Sequence, residues 1–377
     1  MSVEAYTETP GAWEQQHSCP VNSHNEWDPL EEVIVGRLEG ATIPPGHVPI
    51  TARVPRALGW FVKFLAGGMH YPKPLVEAAQ QQLDGFIHLL EGEGVAVRRP
   101  DKRDFKRRFA TPDWRSHGFC SACPRDGFLV IGNEIIETPM SWRCRYFEAF
   151  PYRSLFKEYF AAGARWTAAP KPQLLDSLYN PEYQIPQPGE PLRYVINDTE
   201  PVFDAADFLR CGRDIFYQIS NVTNQSGVAW LVRHLGDRYR FHRLETRCRD
   251  PLHIDSTFML LAPGKLLANP EFIDVDRLPP MFKSWDCIVA PEPDPYADSE
   301  LMARFFSMCS KWISLNVLML DEKRVIVDKS QRSLIKVLAT HGLEPIPCAF
   351  TKYLPFGGAF HCATLDIRRR GELNSYF

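Results

Sequence analysis

Short apolar runs, each approached through an acidic or polar residue and each broken by a tight turn, recur along this chain. Gly127 to Ile131 and Glu134 to Thr138 flank Gly132-Asn133, and Asp207 to Leu209 and Ile215 to Ile219 flank Cys211-Gly212-Arg213-Asp214. Thr257 to Leu261 and Leu266 to Ala268 flank Pro263-Gly264-Lys265, and Asn316 to Leu320 and Arg324 to Val327 flank Asp321-Glu322-Lys323. Strand-forming runs on either side of turn formers predict a hairpin in each case. Leu30 to Val35 and Cys362 to Ile367 would supply a fifth pair from the two ends of the chain and close a ring. Between the strands the apolar spacing turns helical, as at Leu75, Ala78, Leu83, Phe86, Ile87 and Leu90. The pattern predicts an α/β protein of mixed βα units with irregular lengths. No phosphate-cradling glycine motif supports a doubly wound nucleotide fold.

A chain of 377 residues can form two domains or one large α/β unit. The Pro/Gly-containing run from Pro181 to Pro191 is too short for a linker and leads straight into another strand-like segment, so it reads as a loop. The expected organisation is an N-terminal tail over residues 1–21 and a single domain over residues 22–377.

Composition narrows the class without naming it. Hydrophobic residues make up 45% and charged residues 24%, with a formal net charge of -3. That balance gives no electrostatic footprint for nucleic acid, and the basic runs Arg103 to Arg108 and Arg368 to Arg370 are short. No apolar run reaches the roughly 18 residues of a membrane span. The first residues, with Glu4, Glu8 and Glu14, lack the order of a secretory or transit signal, so a cytoplasmic protein is expected. Ten cysteines without paired spacing do not form a disulfide framework. Cys120-Ser121-Ala122-Cys123 has neither a second ligand pair nor a thioredoxin-like context, so no zinc or redox role is expected for it.

The candidate chemistry lies in residues far apart in sequence. Asp126, Asp207 and Asp255 precede hairpins and would line a common mouth, with His253 beside the last and Cys362 near the C-terminus. Acyl transfer needs hydrogen-bond donors for an oxyanion, whereas a planar cation attacked at its central carbon needs acceptors. Carboxylates around a cysteine therefore favour a guanidinium. Such a cation beside Cys362 would also stabilise the thiolate. His253, oriented by Asp204, would donate a proton to the departing amine and later accept one from the incoming nucleophile.

Asn25 to Gly36, Pro124-Arg125-Asp126, Gly132 to Glu137, Phe203 to Phe208, His253-Ile254-Asp255, Ser310-Lys311-Trp312, Asn316 to Arg324 and Phe360-His361-Cys362 resemble the arginine amidinotransferase family over nearly the whole chain. The resemblance implies a pentein-like α/β propeller of five ββαβ-type modules around a pseudo-fivefold axis. It further implies a ping-pong reaction that needs no metal or organic cofactor: the cysteine takes the amidino group from L-arginine, releases ornithine and passes the group to a small-molecule amine acceptor. By the same resemblance Cys362 is the nucleophile and His253 and Asp204 the acid/base pair. Asp126 and Asp255 bind the guanidinium, Ser310 contacts the amino-acid end, and a homodimer is expected.

Departures from the glycine-specific members point to a different acceptor. Phe272 stands where those enzymes hold the donor carboxylate with an arginine, a role that Arg277 could take over, and Cys309 replaces a serine. Asp250 and Leu252 alter two positions facing the acceptor. An added carboxylate at Asp250 suits a second cationic group, hence an acceptor larger than glycine from natural-product biosynthesis, such as a toxin intermediate of saxitoxin type. Glycine itself, hydrolysis of arginine by a deiminase or dihydrolase using the same residues, and a non-catalytic guanidinium binder remain alternatives at this level.

Overall fold

The computed structural model describes residues 19–52, 66–296 and 309–377. The first 18 residues of the expected N-terminal tail lie outside them. Strand β1 (Leu30–Val35) is followed by helix α1 (Lys73–Gly92), which returns the chain to β2 (Ala96–Arg98), parallel to β1. The second unit runs β3 (Phe128–Ile131), β4 (Glu134–Glu137), α2 (Arg153–Ala161) and β5 (Arg165–Ala168). The third runs β6 (Phe208–Cys211), β7 (Asp214–Tyr217), α3 (Gln225–Leu235) and β8 (Arg240–Arg243).

In the fourth unit β9 (Phe258–Ala262) and β10 (Lys265–Ala268) lead to β11 (Asp286–Val289) through 3-10 turns at Val275–Arg277 and Pro280–Ser284 instead of an α-helix. The fifth comprises β12 (Leu318–Met319), β13 (Arg324–Asp328), α4 (Arg332–Thr340) and β14 (Glu344–Cys348). The last strand, β15 (Thr364–Arg369), pairs antiparallel with β1 and completes the first unit from the other end of the chain. Each of these five units has a three-stranded sheet, an antiparallel pair with a third strand added in parallel, and a separate two-stranded sheet pairs Phe109–Ala110 with Arg115–Ser116. All five predicted strand pairs are present, and the chain is the expected pentein-like α/β propeller.

The local sequence accounts for these elements. Gly132, Gly212 and Gly264 sit at φ +58, +63 and +78 in the first three internal hairpin turns, a region closed to most side chains. Helix α1 buries Ala79, Leu83, Phe86 and Leu90 at three- and four-residue spacing, one stripe against the core. Asn224 caps α3, its side chain accepting the Gly227 N–H. Hairpins β3–β4 and β6–β7 are buried along their full length, whereas their outer strands β5 and β8 have exposed ends and a half-buried middle. The hairpins thus face inward and the third strands form the rim. Pro181 to Pro191 is a loop, closed at its base by a bridge between Tyr179 and Ile196.

Buried charges join the units near the centre. Arg210 on β6 donates from Nε to Glu26 (2.8 Å) and from Nη2 to Asp366 on β15 (2.9 Å). Asp366 also accepts from Arg125 (2.6 Å) and Arg369 (2.8 Å), and Arg369 Nη2 reaches the Met319 carbonyl on β12 (2.9 Å). Burial would raise the Asp366 carboxyl, but the three guanidinium groups hold it far below the usual range. Such a network gains little net stability over apolar packing, yet removing one member leaves an uncompensated buried charge. It therefore sets the relative placement of four units with low tolerance for error.

Candidate active site

Four of the five antiparallel strand pairs are hairpins, and each is approached through a short helical turn, at Pro124–Gly127, Ala205–Asp207, Ile254–Ser256 and Lys311–Leu315. Those turns, or the residues flanking them, bring Asp126, Asp204, His253, Asp255 and Asn316 toward Cys362, which directly precedes the last strand pair. All six residues are buried. One donor atom each of Asp126, His253 and Cys362 lie within 4.8 Å of one another. Acid, base and nucleophile candidates from three units thus converge.

His253 Nε2 lies 3.1 Å from Asp204 Oδ2, and its Nδ1 lies 3.7 Å from Asp126 Oδ1. Burial alone would lower the imidazole, but Asp126 and Asp204 carry it up to about 10, so the ring is held as a cation at neutral pH. The Cys362 thiol faces Asp255 Oδ2 at 3.4 Å and receives a hydrogen bond from Asn316 Nδ2 at 3.2 Å. Burial, then the charges of Asp255 and Asp126, push this thiol well above its ordinary range. The free site is therefore an acid and a thiol.

Arg145 braces the carboxylates from behind. It donates to Asp126 Oδ2 at 2.8 Å, lies 3.6 Å from Asp204 Oδ2 and is itself held by Glu148 through two bonds of 2.8 and 2.5 Å. Even so, Asp126 Oδ1 and Asp204 Oδ1 are buried with no hydrogen-bond partner in the structure. Unsatisfied buried acceptors are costly and rare, and they sit where a donor-rich group fits.

Two small cavities, ≈ 40 Å³ and ≈ 30 Å³, meet at Leu252, His253, Cys309 and Gly357. The inner one reaches Asp126, Asp204 and Arg145. The outer one holds Cys362 and Asp255 with Asp250, Phe272 and Ser310. Cys362, His253, Asp204, Asp126, Asp255, Ser310, Asp250 and Leu252 each line one cavity or the other, whereas two further residues considered from the sequence, Asp207 and Arg277, line neither. Among the described residues lining the outer cavity there is no lysine or arginine. Arg277 is not there: its side chain is exposed, pairs with Asp274 and borders a separate cavity. Asp207 is also elsewhere, engaged by Gln218 and Ser220 and pushed up to about 7 by burial.

Three contacts escaped the sequence reading. Asn316 is a lone amide within an apolar run, and that polar break is the only local signal it carried. Arg145 lies in a stretch with no motif. His361, next to the nucleophile, turns its ring away to Asp255 and Glu26. The Cys120 and Cys123 thiols both point at the Phe356 carbonyl, at 3.7 and 3.4 Å, and Cys123 lines the inner cavity.

Cys362, His253 and Asp126 are also the only group of three or more metal-type donors that converges among the described residues, although His253 is already engaged by Asp204. No helix among the described residues is long and apolar enough to cross a membrane.

No protein-family profile matches the chain. It is 47% identical over 359 residues to the L-arginine:L-lysine amidinotransferase of Pseudomonas savastanoi pv. phaseolicola, covering 95% of this chain and 97% of that protein. It is 45% identical over 368 residues to the mitochondrial glycine amidinotransferase of Gallus gallus, covering 95% and 85%. Among solved structures it superposes with a TM-score of 0.90 on SxtG, an amidinotransferase of the saxitoxin biosynthetic pathway from Microseira wollei, at 56% identity over 95% of this chain and 100% of that one. A convergent Cys, His and carboxylate site, in a fold and sequence shared end to end with these enzymes, places the chain in the amidinotransferase family, as a transferase of amidino groups.

Proposed function

We propose that this enzyme takes the amidino group from L-arginine onto Cys362 and delivers it to an amine carrying a second cationic group, an intermediate of natural-product biosynthesis rather than glycine. The observation that carries the donor half is the pair of unpartnered buried oxygens on Asp126 and Asp204 beside His253 and Cys362. A guanidinium supplies the missing donors. Each charge-assisted bond contributes about 1.5–3 kcal/mol, enough to select a cation over a neutral amide.

The bound cation offsets the charges of Asp126 and Asp255 that now hold the thiol protonated, so arginine activates its own nucleophile. Sulfur attacks the central carbon and the bond to the ornithine nitrogen breaks. His253 gives its proton to that nitrogen, and the proton released by the thiol leaves with it in the ornithine ammonium group, so His253 is left neutral and able to act as a base. The acceptor amine then loses a proton to His253, attacks the amidino carbon and expels the thiolate.

Acceptor choice is read from the outer cavity. Asp250, fixed by a 2.7 Å hydrogen bond from Asn221, faces a space with no lysine or arginine among its described walls. That lining repels the carboxylate of glycine and attracts a distal cation. The 56% identity to the saxitoxin-pathway enzyme supports a toxin-type acceptor. Ser310 would meet the amino-acid end of arginine, and Leu252 the body of the acceptor. The reading includes a homodimer and a cytoplasmic location.

Mass spectrometry after incubation with arginine tests the first half: an amidino adduct on Cys362, with ornithine released, is expected. Citrulline or urea formed from arginine alone would replace transfer with hydrolysis. A competition among amines tests the second half, and preferential guanidinoacetate formation from glycine would overturn the acceptor assignment.

A further inference from the structure

We propose that His361 is a positioning residue for amidino transfer: it connects the central charge network to Asp255 and so fixes the carboxylate that clamps the substrate guanidinium. The inference rests on the reading of Asp255 as that clamp.

His361 and Cys362 are neighbours in sequence, yet both reach the same oxygen. His361 Nδ1 lies 2.9 Å from Asp255 Oδ2, and Cys362 Sγ lies 3.4 Å from it. The other ring nitrogen of His361 lies 3.3 Å from Glu26 Oε2, which also accepts from Arg210 at 2.8 Å and Arg125 at 3.5 Å. Arg125 in turn donates to the His361 carbonyl at 3.3 Å and so holds its backbone. With only 2% of the His361 side chain exposed, water cannot stand in for either contact.

Carboxylates flank the ring on both sides, so both nitrogens must donate. A ring donating from one nitrogen alone would set a lone pair against a buried carboxylate. The imidazole thus extends the network of Glu26, Arg125, Arg210, Asp366 and Arg369 by one link, into the fourth unit, which those five side chains do not reach.

The charged and titratable groups facing Asp255 are His361, Cys362 and His253. Burial would raise the Asp255 carboxyl. The His361 hydrogen bond is the foremost influence holding it below its ordinary range, ahead of His253 and the Cys362 thiol. Without His361, Asp255 would take up a proton more readily and lose the orientation that shares one oxygen between clamp and nucleophile. A protonated Asp255 cannot hold a guanidinium by charge.

Three substitutions separate this role from simple structural support. His361→Asn keeps a donor near the Nδ1 position, His361→Gln keeps one near the Nε2 position, and His361→Leu keeps neither. Arginine turnover across pH, with unfolding curves for each protein, is the measurement. His361→Gln and His361→Leu are expected to raise the KM for arginine roughly tenfold or more. They should also move the acid limb of kcat/KM up by about one pH unit, while His361→Asn stays near the parent. An acid limb that is the same in the Asn and Gln proteins overturns the proposal, and that comparison stands even if His361→Leu fails to fold. Asp255→Asn tells the two readings apart. If it binds arginine normally, the clamp assignment fails; if it binds weakly while the His361 proteins behave as the parent, only the positioning role fails.

Discussion

Asn316 holds Cys362 from two directions: its Nδ2 donates to the sulfur at 3.2 Å and its Oδ1 accepts the Cys362 backbone N–H at 3.1 Å. The same oxygen also accepts the Ala359 N–H at 3.2 Å, so one amide fixes both the nucleophile and the loop that carries it. Asn316→Leu keeps the volume and removes every one of these bonds. Two buried N–H groups would be left unpaired, at about 1–3 kcal/mol each. Single-turnover amidino-enzyme formation is expected to slow roughly a hundredfold, as for a misplaced reacting atom. Rapid-quench mass analysis checks this, and an unchanged rate would remove Asn316 from the site.

Gly358 gives a steric test of the same placement. A Cβ added there would sit 2.3 Å from Cys362 Cβ and 2.6 Å from its sulfur, closer than real contacts allow. In Gly358→Ala the nucleophile has to move. A folded protein with arginine turnover reduced by roughly two orders of magnitude is expected.

The pH dependence of stability follows from His253. Its folded value is raised to about 10 from an ordinary 6.5. The stability it contributes is therefore complete below about 6.5 and is lost progressively as pH climbs through about 10. Chemical denaturation from pH 6 to 10 should show this decline, with a slope from this group of at most about 1.4 kcal/mol per pH unit. His253→Asn is expected to flatten the curve over that window.

Substitution at Asp250 separates acceptor recognition from donor chemistry. Asp250→Asn preserves shape and removes charge. It is expected to lower kcat/KM for acceptors with a distal cation by roughly tenfold and to leave ornithine release in the first half-reaction unchanged. Equal losses for cationic and neutral acceptors would mean that Asp250 acts through its contacts within the protein, such as the bond with Asn221.

The central network should be intolerant of single changes. Arg210→Met leaves Glu26 and Asp366 each short of a partner in a buried setting, and a loss of about 3–5 kcal/mol is expected. The midpoint of urea unfolding measures it.

The contrast between what the sequence disclosed and what it withheld follows from where the information sits. Four of the five strand pairs were legible because each is a local event: an apolar run, a turn with Gly or Asp, a second run; the fifth, β1 with β15, was inferred from the two runs left without a partner at the ends of the chain. Helix α1 was legible through its stripe, although Ala79 rather than Ala78 is the buried alanine. The outer strands were not. Segments such as Arg165–Ala168 and Arg240–Arg243 are half-exposed, mix charge with aromatic residues and carry no alternation. They are strands because a neighbour offers free hydrogen bonds.

At the site, residue types with distinctive chemistry stood out, namely the cysteine, the histidine and the carboxylates. Asp207 shares the position of Asp126 and Asp255 before its hairpin, yet local contacts with Gln218 and Ser220 turn it aside. The supporting roles of Asn316, Arg145 and His361 depend on partners up to 335 residues away, and no local pattern marks them.

The pairing of β15 with β1 has a consequence for the timing of synthesis. On the proposed function the reacting sulfur of Cys362 lies just ahead of the final sheet strand and is translated after the acid, the base and the carboxylates. A nascent or C-terminally clipped chain can present the acid and both clamps and still be chemically silent. On that reading ring closure and the onset of arginine use coincide.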